Sequence, residues 1–168
     1  AHRVSGLPVV PSMFSTILQM PGLTDLDLSS VRYITNAAAN LPVAHIPRLQ
    51  QTFSRARIFC MYGLTECTRV SYLDPDRLAD KVGSVGFAIP NMEAFVRLPD
   101  GRRAAPGEVG ELTVRGSSIM LGYWRKPEAT AAILKGATAF SGILGEVKLR
   151  GKTYAGKAFE FHGQEQDE

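Results

Sequence analysis

Two cysteines and three histidines are all that this 168-residue chain offers as soft or imidazole ligands. Neither set has the paired spacing of a zinc site. Cys60 lies inside an apolar run and reads as a small buried hydrophobe. So few cysteines fit a reducing compartment, and a cytoplasmic location is expected. No apolar run approaches the roughly 18 residues that a membrane-spanning helix requires. Residues 1–14, AHRVSGLPVVPSMF, lack the continuous apolar core and small-residue cleavage site of a signal peptide. Charge of one sign is scarce too: 19 Lys and Arg oppose 16 Asp and Glu, for a net charge of +3. The sequence pI is near 9.0. The densest basic pairs, Arg102-Arg103 and Arg125-Lys126, each fall in an expected turn. Scattered charge of this kind argues for solvated loops and against a nucleic-acid surface, leaving at most a weak pull on polyphosphates. Internal repeats and low-complexity tracts are also absent.

What is present is the mix of a folded soluble protein, 45% hydrophobic and 21% charged. The length suits one ordinary domain or two small subdomains. Residues 8–20 open with prolines and place Met13, Phe14, Ile17 and Leu18 on one helical face, ending at Pro21-Gly22. Residues 31–35 read as a strand, and the small residues 36–40, NAAAN, as a turn. Val43, Ile46, Leu49, Gln50 and Phe53 have helical spacing, with Pro47 marking either a kink or the start. Residues 56–61, ARIFCM, read as a second strand. Strand, helix, strand predicts a parallel βαβ unit, whose ligands gather at the strand ends. Residues 36–40 and 62–66 fall at those ends.

The character changes after Asp74-Pro75-Asp76. Residues 93–98 and 110–115 alternate apolar and polar around the turn Pro99-Asp100-Gly101, predicting a small antiparallel sheet or barrel. Residues 127–135 predict a helix with Pro at its start and an early Glu. Residues 146–150 and the Phe159 to Phe161 stretch read as strands, and 164–168 as an exposed tail. The expected fold is therefore α/β: residues 1–82 a parallel βαβ portion, residues 83–168 a β-rich subdomain.

The stretch with the most chemistry is MYGLTEC, residues 61–67. A threonine hydroxyl such as that of Thr65 can donate to a phosphate oxygen. The carboxylate of Glu66 can hold Mg²⁺, a hard cation that shares its oxygen ligands with substrate phosphates. Tyr62 offers a flat face for a base, and Gly63 allows close approach of backbone to a ligand. The competing reading is a turn with Tyr62 in the core and a solvated Glu66.

Order and context add to this. MYGLTE resembles the Tyr-Gly-x-Thr-Glu signature of the adenylate-forming (AMP-binding) enzymes, which include acyl-CoA synthetases, peptide-synthetase adenylation domains and firefly luciferase. GEVGELTVRG over 107–116, GYW over 122–124 and PEAT over 127–130 resemble the next signature block in order and spacing. VRYITNAAANLP and GSVGFAIPNMEAFV resemble further family segments, so the likeness runs over about residues 4–135. Leu64 stands where peptide-synthetase domains usually have Pro, which leans toward acyl-CoA synthetases. The resemblance implies a carboxylic acid attacking the α-phosphate of ATP to give an acyl-adenylate and pyrophosphate. A thiol, of coenzyme A or a carrier protein, then takes the acyl group, and fatty acid metabolism is the expected setting. It also implies that Tyr62 stacks on adenine, Thr65 contacts phosphate and Glu66 ligates Mg²⁺. The backbone around Ala37, Ala38 and Ala39 would line the adenine and acyl pocket. Gly122-Tyr123-Trp124 is read as packing and loop shape.

Four departures limit the likeness. Within these 168 residues the family's Gly/Ser/Thr-rich phosphate loop and its lysine-bearing C-terminal domain are not found, and both are expected in the longer enzyme. With no initial Met, the chain is expected to be a piece of a longer enzyme, inactive alone. FEFHGQEQDE resembles the segment at the family's interdomain hinge, but Gln164 stands where Arg is expected. The ribose-binding Asp is replaced by Ile143 or Lys152, depending on the alignment of residues 136–158. A non-catalytic nucleotide-binding or scaffold protein is the alternative. His45, His162 and Cys67 are assigned no catalytic role.

Overall fold

The computed structural model describes residues 2–105, 108, 110–134 and, for their backbone, 138–140. The chain divides into two compact units, Ala1–Met61 with Leu73–Ser84, and Tyr62–Tyr72 with Val85–Glu168. The stretch carrying Thr65 and Glu66 thus groups with the later residues.

The first unit is built on three parallel strands, β1 (Gly6–Val9), β2 (Tyr33–Asn36) and β3 (Arg57–Tyr62, all but its last residue). The register runs from Gly6 opposite Tyr33 and from Tyr33 opposite Arg57. Strand β1 was not expected, because its Pro8 reads as a helix start. Pro8 is tolerated because β1 pairs with β2 alone among the strands of this unit, where a missing N–H costs little. The helix begins later, as α1 (Pro11–Leu18), with Pro11 at its first position. Phe14 and Leu18 face the core, while Met13 is exposed. Helix α2 (His45–Thr52) carries Pro47 in its first turn, where its N–H would have had no helical partner. The proline therefore marks a helix start and not a kink. Ile46, Leu49 and Phe53 are buried, whereas Val43 points to solvent. Arg48 Nη2 donates to the carbonyl of Leu18, tying α2 to the end of α1 at 2.7 Å. Phe14, Ile34 and Leu49 are fully buried at the centre of this unit, each contributing about 2–3 kcal/mol of apolar transfer.

The second unit is antiparallel. The short strands β4 (Ser71–Tyr72) and β5 (Phe87–Ala88) pair with each other. Strands β6 (Met92–Arg97), β7 (Glu111–Gly116) and β8 (Thr138–Phe140) form a three-stranded sheet with β7 in the middle. The turn after β6 closes through Leu98 N–H to Arg102 O and Gly101 N–H to Leu98 O, both 2.9 Å. Gly101 has φ +91°, a conformation open to glycine. Helix α3 (Pro127–Ile133) starts on its proline, as expected. Tyr62, Cys67, Val70, Val85, Val96, Leu112 and Val114 make the core of this unit. The strands expected over 146–150 and around Phe159 lie outside the described residues.

Candidate active site

Strand β3 ends at Tyr62, and the chain then turns back through a tight loop. Val70 N–H donates to Tyr62 O at 2.9 Å, and Cys67 N–H to Leu64 O at 3.2 Å. Gly63 is required for this closure: a Cβ there would sit 2.0 Å from the carbonyl oxygen of Thr68. The close approach is thus to the loop's own backbone. Thr68 itself has φ +52°, a conformation rare for a β-branched residue. Cys67 is wholly buried beneath the loop. Burial pushes its thiol up, and the charge of Glu66 adds to this against a hydrogen bond from Leu64. It is a packing residue and no nucleophile.

The loop leaves Thr65 exposed and Glu66 half-buried. Among the described residues the Thr65 hydroxyl makes no hydrogen bond. Glu66 is gripped from residues 118–123 of the same unit. Its carbonyl accepts from Met120 N–H at 2.7 Å. Its carboxylate Oε1 accepts from the Tyr123 hydroxyl at 2.5 Å. Ser118 Oγ donates to the adjacent Cys67 carbonyl at 3.0 Å. The bond to Glu66, followed by burial and the carboxylate's charge, pushes the Tyr123 hydroxyl up and keeps it protonated. Tyr123 is held in turn: its N–H donates to Thr130 Oγ1 at 2.9 Å, and Thr130 Oγ1 donates to Lys126 O at 2.8 Å. Gly122 lies so near Thr130 that an added Cβ would meet its methyl at 2.7 Å.

The reading of Gly122-Tyr123-Trp124 as packing needs correction. Trp124 is 83% exposed, with Arg125 5.5 Å from its ring, and Tyr123 bonds the candidate metal ligand. The pattern Gly122-Tyr123 with Thr130 seven residues on carried the signal, but nothing in sequence links Tyr123 to Glu66. Tyr62 is only 4% exposed and belongs to the core of the second unit, so it is not an open aromatic plate in this chain.

The remaining expected residues lie in the first unit. Ala37, Ala38 and Ala39 are exposed in the turn after β2. Asn36 shapes that turn by donating from Nδ2 to Ala39 O at 3.0 Å. Asn36 is 2% exposed, and its Oδ1 has no partner among the described residues. Ala38 carries φ +70°.

Among the described residues no three His, Cys, Asp or Glu side chains converge as a metal cage. A single carboxylate with one oxygen held and Oε2 unbonded among those residues fits a cation that takes most of its ligands from phosphates and water. The donor set at Glu66 and Thr65 is therefore compatible with Mg²⁺.

The described residues thus combine a mixed α/β fold containing parallel strands with a Thr-Glu pair on the loop after β3. Residues 1–124 match the AMP-binding enzyme family, and the chain belongs to it. It is 33% identical over 157 residues to a long-chain-fatty-acid–CoA ligase of Bacillus subtilis, covering 91% of this chain and 27% of that protein. It is 37% identical over 150 residues to a feruloyl-CoA synthase of Amycolatopsis, covering 87% of this chain and 30% of that protein. Among solved structures, VinN matches with TM-score 0.81 and 34% identity, over 92% of this chain and 40% of VinN. The amide bond synthetase McbA of Marinactinospora thermotolerans matches with TM-score 0.80 and 27% identity, over 92% of this chain and 32% of that one. The resemblance read from the motifs is borne out. The chain spans less than a third of the curated relatives it matches.

Proposed function

We propose that this chain is the ATP-handling segment of an AMP-forming acid–thiol ligase. In the first half-reaction a carboxylate oxygen bonds to the α-phosphorus of ATP as pyrophosphate leaves. In the second a thiol sulfur, of coenzyme A or a carrier protein, attacks the acyl carbon and AMP leaves. The observation that carries this reading is the pairing of an exposed Thr65 hydroxyl with a Glu66 carboxylate held on one oxygen only.

Thr65 would donate to a phosphate oxygen, and Glu66 Oε2 would hold the metal. Mg²⁺ bound there supplies charge neutralisation at the phosphates during displacement. Preorganised donors and charge carry most of such catalysis, since no covalent step falls to the protein. Gly63 permits the loop that presents both side chains. Tyr62 would contact adenine through the small part of its ring that the core leaves exposed. The turn at Ala37, Ala38 and Ala39 would line the adenine and acyl pocket of the whole enzyme. The antiparallel unit would form part of a small barrel-like subdomain, and the setting would be cytoplasmic fatty acid metabolism. The names of the curated relatives support an acyl-CoA product. The likeness to an amide bond synthetase supports a second reading, in which an amine replaces the thiol.

The test is pyrophosphate release by the full-length protein with ATP, Mg²⁺ and a panel of fatty and aryl acids, with Glu66→Gln as control. Release that needs the acid and is lost in the variant supports the ligase. Nucleotide binding without turnover supports a non-catalytic binding protein instead. Adding coenzyme A or a primary amine in separate arms then identifies the acceptor.

A further inference from the structure

We propose that Tyr123 is a positioning residue for the metal: its hydroxyl engages Oε1 of Glu66 and leaves Oε2 as the oxygen that would hold the cation. This rests on the reading of Glu66 as the magnesium ligand. A free carboxylate can swing, ligate through both oxygens or turn to water. The 2.5 Å bond from Tyr123 removes that freedom by engaging one oxygen. The bond would mean little if Tyr123 were itself loose, and it is not. Its backbone N–H is fixed on Thr130 Oγ1, and Thr130 sits in α3 with its N–H bonded to Lys126 O at 3.0 Å. The Glu66 backbone is held independently by Met120 N–H. Main chain and side chain of Glu66 are therefore both located by one downstream segment, which in turn leans on the start of α3. A hydrogen bond to a metal-ligating carboxylate orients the ligand, and its loss ordinarily weakens metal affinity by about 10- to 100-fold.

The experiment compares wild type, Tyr123→Phe, Glu66→Gln and the double variant in the full-length protein. Mn²⁺ affinity is read by EPR in the presence of α,β-methylene-ATP, which blocks turnover. Expected is a loss of about tenfold for Tyr123→Phe, with no further loss when it is added to Glu66→Gln. In steady state kcat should fall while KM for the acid holds. A Mn²⁺ affinity for Tyr123→Phe within twofold of wild type, while Glu66→Gln binds weakly, overturns the role of Tyr123 and leaves Glu66 as ligand. Additive losses in the double variant overturn it as well. If Glu66→Gln itself binds Mn²⁺ like wild type, the reading of Glu66 falls and takes the proposal with it. Should Tyr123→Phe fail to fold, Thr130→Val carries the test: it keeps the phenol but frees the Tyr123 backbone, and a Mn²⁺ affinity unchanged from wild type overturns the proposal.

Discussion

The Cα of Gly63 faces the Thr68 carbonyl so closely that a methyl group there would lie 2.0 Å from the oxygen. The neighbouring atoms are backbone on both sides, so no side chain can yield. Gly63→Ala must open the loop between Tyr62 and Val70. Displacing it should cost about 2–4 kcal/mol, in the range of severe packing and backbone faults. Urea unfolding of the full-length protein measures this, and Mn²⁺ affinity should fall with it. A variant as stable as wild type would show that the approach is not obligatory.

Two non-glycine residues hold positive φ in the candidate segments, Thr68 at +52° and Ala38 at +70°. The left-handed conformation costs an L-residue roughly 1–2 kcal/mol, partly offset by glycine's greater unfolded-state entropy. Thr68→Gly and Ala38→Gly should each leave stability unchanged or raise it by about 1 kcal/mol, the gain being larger for the β-branched Thr68. Thermal unfolding of the two variants decides this, and a destabilisation of either would contradict it.

Arg102 grips Glu108 through both guanidinium nitrogens at 2.7 and 2.8 Å, and Ala105 N–H adds a third bond at 2.7 Å. The Arg102 bonds first, then the Ala105 amide, hold the Glu108 carboxyl well below its ordinary value, at about 2. Because the folded value is depressed, the stabilisation is present above the ordinary glutamate range. It should be lost as pH falls from about 4.5 toward about 2. NMR titration should find the Glu108 midpoint near 2. Glu108→Gln should remove this part of the acid dependence; a midpoint near 4 would refute the assignment.

Both cysteines are buried, and burial pushes the Cys60 thiol up to about 11. With little thiolate and no access, Cys60 and Cys67 should resist a thiol reagent at pH 8 in the native protein. Unfolding should speed their labelling by about a hundredfold or more. Rapid native labelling at either site, located by peptide mass mapping, would count against the packing.

Much of the first unit could be read from the sequence because its signals are local. Phe14 and Leu18, and Ile46, Leu49 and Phe53, keep helical spacing and are the residues that the structure buries. Strand β1 escaped because Pro8 carries the same local signal at a helix start and on a strand with one partner. Thr65 and Glu66 stood out because a hydroxyl and a carboxylate stand side by side just past an apolar run, after Tyr62-Gly63-Leu64. Tyr123 did not, since its bond to Glu66 joins residues 57 positions apart. No periodicity reports such a contact; only the three-dimensional closure of the second unit brings the phenol to the carboxylate. Gly63 was recognised as special, but its neighbour, the carbonyl of Thr68, depends on a turn that residue type alone did not specify.

The separation between residues 66 and 123 also bears on how the polypeptide is born. At about 5–20 residues per second, a ribosome needs roughly 3 to 11 s to cover the 57 positions from Glu66 to Tyr123. Throughout that interval the acidic group lacks the phenol that will steady it. The nascent chain must therefore wait for late-arriving aromatic support, and a product released early would carry the strand without its brace.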